Sequence, residues 1–139
     1  MIKTRQCTTC QKIKPLTQFH RHYNRTDGRK HSCKECRNIY EKRAVKKLRK
    51  EIIDHYGGKC ACCGETVLVF LTVDHINNDG AKHRKEIGDG HVIYRWIKRN
   101  NFPIDMFQIL CYNCNVGRAR NNGVCPHKEL SGSSGGSSH

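Results

Sequence analysis

Eight of the ten cysteines in this 139-residue chain fall into four CxxC pairs: Cys7/Cys10, Cys33/Cys36, Cys60/Cys63 and Cys111/Cys114. A CxxC turn offers two thiolates with little backbone strain, and two such turns complete the tetrahedron that Zn²⁺ prefers. Folding and metal binding would then be one event. In the run Cys60-Ala61-Cys62-Cys63-Gly64 the spacing favours Cys60 and Cys63 as ligands and leaves Cys62 over. Disulfides are the competing use. No apolar run near Met1 resembles a signal peptide, so the expected setting is intracellular and cytoplasmic, where paired thiols more often hold metal. A different chemistry is offered by Asp74-His75, a carboxylate beside an imidazole, followed by Asn77-Asn78-Asp79-Gly80. That dipeptide is weak evidence alone. Its context strengthens it, because it ends an apolar run between two knuckles and because Asn115 directly follows Cys114. Cys125-Pro126-His127 adds a thiol and an imidazole that could form part of another metal site with Cys62, although closing packing near the C-terminus is the simpler use.

These residues need elements to position them. Between the first two knuckles, Phe19, Tyr23 and the turn signal Asp27-Gly28 suggest a short hairpin. Residues 37–56 form an expected helix, with an apolar stripe of Tyr40, Ala44, Leu48 and Ile52 and a stop at Gly57-Gly58. The β-branched run Thr66 to Val73 reads as a strand ending at Asp74-His75. Val92 to Asn100 reads as a short amphipathic helix, Met106 to Leu110 as a second strand, and the polar run after Cys114 as a short basic helix. Trp96 reads as core, and His20, His22, His31 and His55 as surface or hairpin residues. The last ten residues, LSGSSGGSSH, have flexible-linker composition and look like the remnant of an expression tag.

Only 36% of the residues are hydrophobic, so the core is thin and a staple such as zinc is expected. No stretch of about 18 apolar residues is present to cross a membrane. The formal charge of +14 is uneven: residues 1–56 carry 16 Lys/Arg against 5 Asp/Glu, and residues 57–130 carry 10 against 7. A strongly basic half implies a polyanionic partner, with nucleic acid favoured over a membrane surface. Arg37, Lys42, Arg43, Lys46, Lys47, Arg49 and Lys50 crowd the expected long helix. Such a helix would hold phosphates without reading sequence.

The segments Tyr56-Gly-Gly-Lys-Cys60…Cys63-Gly64, Val73-Asp-His-Ile76 and Leu110-Cys-Tyr-Asn-Cys-Asn115 together resemble the HNH endonucleases of the ββα-metal fold. The layout is similar to phage and homing-type members with an N-terminal zinc module, to small two-zinc HNH restriction enzymes and to the recombination endonuclease VII family. The likeness spans about residues 5–127 and is generic over Cys7–Cys36. It implies an α+β fold in which a zinc-ribbon-like module (1–36) and a basic linking helix (37–56) precede an HNH domain (57–129), with 130–139 as linker. It also implies an intracellular enzyme, of phage origin in many relatives, that cuts double-stranded DNA. His75 would be the general base, and Asp74 and Asn115 would hold one catalytic Mg²⁺ or Mn²⁺ beside two structural zinc ions. A double-strand break would need a homodimer or two successive nicks.

Two departures stand against that pattern. The third motif position is Asn115 rather than histidine, and Met106 stands near where the middle asparagine usually lies, with Asn77, Asn78, Asn100 or Asn101 as substitutes. His83-Arg84-Lys85, within the insertion 79–103, either touches the scissile phosphate or forms an exposed loop. Arg118 and Arg120 either touch phosphate or line a solvated helix face. The alternatives are a structure-selective nuclease for branched DNA and a non-catalytic zinc-ribbon nucleic-acid module. A thiol oxidoreductase is disfavoured, because four CxxC units pair naturally as knuckles.

Overall fold

The computed structural model describes residues 1–134, which fall into two compact units divided after Lys46. Both are mixed α+β with small antiparallel sheets. The first unit opens with β1 (Thr4–Gln6) paired antiparallel with β2 (Ile13–Pro15), the turn between them holding Cys7 and Cys10. Gln11 takes φ 62° there, and its N–H donates to the Cys7 carbonyl at 2.9 Å. A single 3-10 turn then leads into β3 (Phe19–Arg21), which pairs antiparallel with β4 (Arg29–Cys33). The hairpin turns at Gly28, φ 65°, as the Asp27-Gly28 signal predicts. The buried core of this unit is Phe19 with the thiols of Cys7 and Cys33. One aromatic side chain cannot hold a domain, so the cysteines must.

Helix α1 (Lys34–His55) begins at once after Cys33, three residues earlier than the sequence suggests, and so carries Cys36 in its first turn. Its end is a Schellman cap: Gly58 N–H donates to the Ile53 carbonyl and Gly57 N–H to that of Asp54, with Gly57 at φ 103°. The expected apolar stripe is only half realised. Ile52 and Ile53 are buried and Leu48 half-buried, but Tyr40 is 64% exposed and Ala44 lies in solvent. The unit boundary falls within this helix, where a separate linking helix was expected.

In the second unit β5 (Leu71–His75) pairs antiparallel with β6 (Phe107–Cys111), in the register Leu71↔Cys111, Asp74↔Gln108 and His75↔Phe107. The first half of the expected 66–73 strand is instead irregular, with a 3-10 turn at Leu68–Phe70. The insertion contains two helices, α2 (Gly80–Ile87) and α3 (Val92–Arg99). Helix α4 (Tyr112–Arg120) follows β6 without a break, and Cys111 Sγ caps it by accepting from Cys114 N–H. α5 (Pro126–Ser134) begins at a proline, whose fixed φ suits a first helical position, and runs into the segment expected to be linker. The rest of that tail lies outside the described residues.

Two apolar clusters carry this unit. Leu71, Ile109, Leu110 and Ile53 surround the thiols of Cys60, Cys111, Cys114 and Cys125. Ile52, Ile97 and Phe107, backed by Trp96 and Leu48, support the far end of the sheet.

Candidate functional site

The first cysteine set brings Cys7, Cys10, Cys33 and Cys36 together, every sulfur within 4.8 Å of the others. Cys7 and Cys36 sulfurs stand 4.0 Å apart. A zinc–sulfur bond of about 2.3 Å implies tetrahedral edges of about 3.8 Å, whereas a disulfide needs about 2.05 Å. Burial would push the Cys7 thiol up, but the N–H groups of Cys10, Cys33 and Thr9 together outweigh it and bring the group to about 5. Lys14 Nζ lies 3.5 Å from Cys33 Sγ and 2.6 Å from Glu35. Its pKa is raised, chiefly by Glu35.

Cys60, Cys63, Cys111 and Cys114 form the second set on the same pattern, with Cys63 and Cys111 sulfurs 3.7 Å apart. Burial of Cys60 is again outweighed by N–H donors, here from Cys63, Cys111 and Cys62, bringing that thiol to about 6. Both sets are consistent with structural zinc sites. The choice of Cys60 and Cys63 over Cys62 agrees with this grouping. Cys62 is not idle, however: it meets Cys114, Cys125 and His127 in a third set of ligand atoms, also within 4.8 Å.

At the end of β5, Asp74 Oδ2 accepts from Gln108 Nε2 at 2.9 Å, its cross-strand partner, and from Arg118 Nη1 on α4. Arg118 also donates to the carbonyls of His75 (3.0 Å), Ile76 and Gly123 (3.1 Å). Expected to meet phosphate or solvent, it is turned inward, with its side chain 14% exposed. Asn115 is half-buried three residues before Arg118, and residues three apart share a helix face.

His75 is buried, with Nε2 2.9 Å from His83 Nδ1. His83 does not lie in an exposed loop. It is buried on α2, edge-on to Trp96 at 4.4 Å between centroids. Burial and the neighbouring His83 hold the His75 pKa below its ordinary value, against the pull of Asp79 and Asp74. Phe107 packs on the ring at 4.8 Å. On the remaining nitrogen, a Cβ at position 80 would stand 2.8 Å from Nδ1, so glycine alone leaves that atom room. The sequence signal for this arrangement was the Asn-Asn-Asp-Gly turn followed by Ala81, Lys82 and Glu86, all residues compatible with a helix that starts at Gly80. Gln108 was legible only through the strand register.

The basic residues divide sharply. Lys42, Arg43, Lys46, Lys47 and Arg120 are exposed. Arg37 pairs with Glu41 at 3.2 Å, Lys50 with Asp54 at 2.6 Å and Arg84 with Asp89 at 3.8 Å, all near the surface. Arg49 is turned inward, donating to the carbonyls of Leu68 (3.0 Å) and Leu71, where it braces the start of β5. Among the described residues no helix is long and apolar enough to cross a membrane. No family model, curated protein or solved structure matches the chain.

Proposed function

We propose that this chain is a DNA endonuclease of the HNH class, built on the ββα-metal plan, with His75 as its general base. The observation that carries the reading is the junction of β5 with α4. Arg118 reaches Asp74 across that junction, and Asn115 lies three residues before Arg118 on the same helix. The knuckle of Cys60, Cys63, Cys111 and Cys114 pins the β6–α4 corner from which Asn115 projects.

Hydrolysis of a phosphodiester requires an activated water and stabilisation of the charge that develops on phosphate. A buried ring with a lowered pKa is neutral near pH 7, the form a base needs. In the productive tautomer His75 Nε2–H donates to His83 Nδ1, which leaves Nδ1 basic and facing the gap at Gly80. Nδ1 takes a proton from water, the water oxygen bonds to phosphorus, and the bond to the 3′ oxygen breaks. That oxygen gains a proton from solvent, leaving a 5′-phosphate and a 3′-hydroxyl. A carboxylate and an amide oxygen are the hard donors that suit Mg²⁺ or Mn²⁺, and both hydrogen bonds to Asp74 fall on Oδ2. Held by Asp74 and Asn115, such a cation would supply Lewis-acid stabilisation of the phosphate charge. Exposed Lys42, Arg43, Lys46, Lys47 and Arg120 supply sequence-independent attraction for the duplex.

The test is incubation of purified protein with supercoiled plasmid and with branched duplexes in Mg²⁺ or Mn²⁺. Nicked or linear product is expected, abolished by EDTA and by His75→Ala. Equal product from wild type and His75→Ala would refute the assignment. One observation favours the competing reading of a non-catalytic zinc-ribbon binder: Asp74 is already neutralised by Arg118. On that reading DNA binding would persist while every substrate stayed uncut.

A further inference from the structure

We infer that Cys62, Cys125 and His127 hold a third zinc ion, and that Cys114 bridges it to the zinc of the second knuckle set. The four ligand atoms of Cys62, Cys114, Cys125 and His127 lie within 4.8 Å of one another, as closely grouped as either CxxC set. His127 Nδ1 is 3.3 Å from Cys114 Sγ and 3.6 Å from Cys125 Sγ. Tetrahedral bonds of about 2.3 Å to sulfur and about 2.05 Å to nitrogen give a sulfur–nitrogen edge of about 3.5 Å, which those two distances bracket.

Apolar packing does not account for the arrangement. Cys125 is buried, but His127 lies on the exposed first turn of α5, so no hydrophobic gain requires its imidazole to sit against two sulfurs. The chain is also shaped to bring these groups together. Gly117 on α4 lets Pro126 approach so closely that a Cβ there would stand 3.0 Å from Pro126 Cδ. The turn between α4 and α5 reverses through Asn122 and Gly123, both at positive φ, and is tied by Asn121 Nδ2 donating to the Val124 carbonyl at 3.1 Å. Together they deliver Cys125 and His127 to the side of α4 that carries Cys114.

Sharing Cys114 follows from ligand arithmetic. The knuckle set needs Cys114 as its fourth ligand, and without it the other set has only three. A thiolate has lone pairs enough to bind two zinc ions, so one bridge completes both tetrahedra. The charge is favourable as well. A lone zinc with four thiolates carries −2. Adding Zn²⁺ with two further thiolates and a neutral imidazole leaves the total at −2, so the second ion brings no new charge to bury.

Two measurements on the full chain test this, and neither depends on nuclease activity. Elemental analysis of zinc-loaded protein should give three zinc ions per chain, falling to two in Cys125→Ser/His127→Ala with the far-UV spectrum kept. Two ions in the wild type, whether or not the variant changes the number, would overturn the proposal, since the sets would then be alternatives. After exchange with ¹¹³Cd, two of three cadmium resonances should show scalar coupling to each other through the Cys114 sulfur, lost in Cys125→Ser. Three uncoupled resonances would overturn the bridge.

Discussion

Substitution of Gly80 by alanine tests the proposed base at the scale of one methyl group. The new Cβ would stand 2.8 Å from His75 Nδ1 and 3.2 Å from an Arg84 nitrogen. The arginine tip is exposed and can swing away at little cost. The imidazole cannot, because His83 holds its other nitrogen at 2.9 Å and Phe107 packs on the ring. Relief therefore requires the ring or the start of α2 to move by several tenths of an ångström. Overpacking of this kind costs about 1–3 kcal/mol, and alanine recovers up to about 1 kcal/mol over glycine in a helix. The net stability change should be small, about 0–2 kcal/mol. The rate should suffer more, since misplacing a reacting group by about 1 Å can cost about 100-fold and half that shift about tenfold. Plasmid nicking under single-turnover conditions, beside urea unfolding, separates the two effects. A Gly80→Ala protein that nicks within twofold of wild type would refute the placement of the reactive nitrogen at Nδ1.

Three further predictions concern the charged residues. Arg118→Met leaves the Asp74 carboxylate, 11% exposed, with the hydrogen bond from Gln108 and frees three carbonyl groups. Unfolding free energy should fall by about 2–4 kcal/mol, read from the urea midpoint, and an unchanged midpoint would contradict the ion pair's role. Replacing Lys42, Arg43, Lys46 and Lys47 together by alanine should weaken DNA binding equally on unrelated sequences, and should flatten the slope of log affinity against log salt by up to about 3.6. Arg49→Ala should instead lower stability and leave that slope alone, because its guanidinium is spent on the Leu68 and Leu71 carbonyls.

The metal framework was legible because zinc ligation leaves a short-range signature: CxxC spacing is read within one turn of chain, and all eight cysteines group as their spacing suggests. β6 and α3 were legible through periodicity to within a residue or two. What the sequence hid depends on contacts across the fold. Arg49 and Arg118 look like their exposed neighbours, and only tertiary packing shows that each guanidinium satisfies backbone carbonyls. Tyr40 and Ala44 continue the stripe of Leu48 and Ile52 by period alone, yet nothing in the first unit covers them, and they remain in solvent. His83 sits in a polar stretch that reads as loop, and its burial follows from Trp96 and Phe107 arriving from α3 and β6.

The chain thus separates two kinds of donor. Every group of three or more metal-competent side chains found among the described residues is built on sulfur, with a single imidazole. Around His75 the available donors are oxygen and nitrogen, and Asp74 is paired with the Arg118 guanidinium. Thiolate sites favour zinc and resist Mg²⁺, while a carboxylate with an amide oxygen favours hard cations and binds them weakly. A cell's zinc can therefore fill the sulfur sites without locking the proposed catalytic position. A divalent cation at that position must compete with a guanidinium for Asp74, so its binding should depend on the arriving phosphate, which supplies both further oxygen ligands and an alternative partner for Arg118. On the proposed reading the free protein stays poorly charged with catalytic metal, and the DNA backbone itself completes the site.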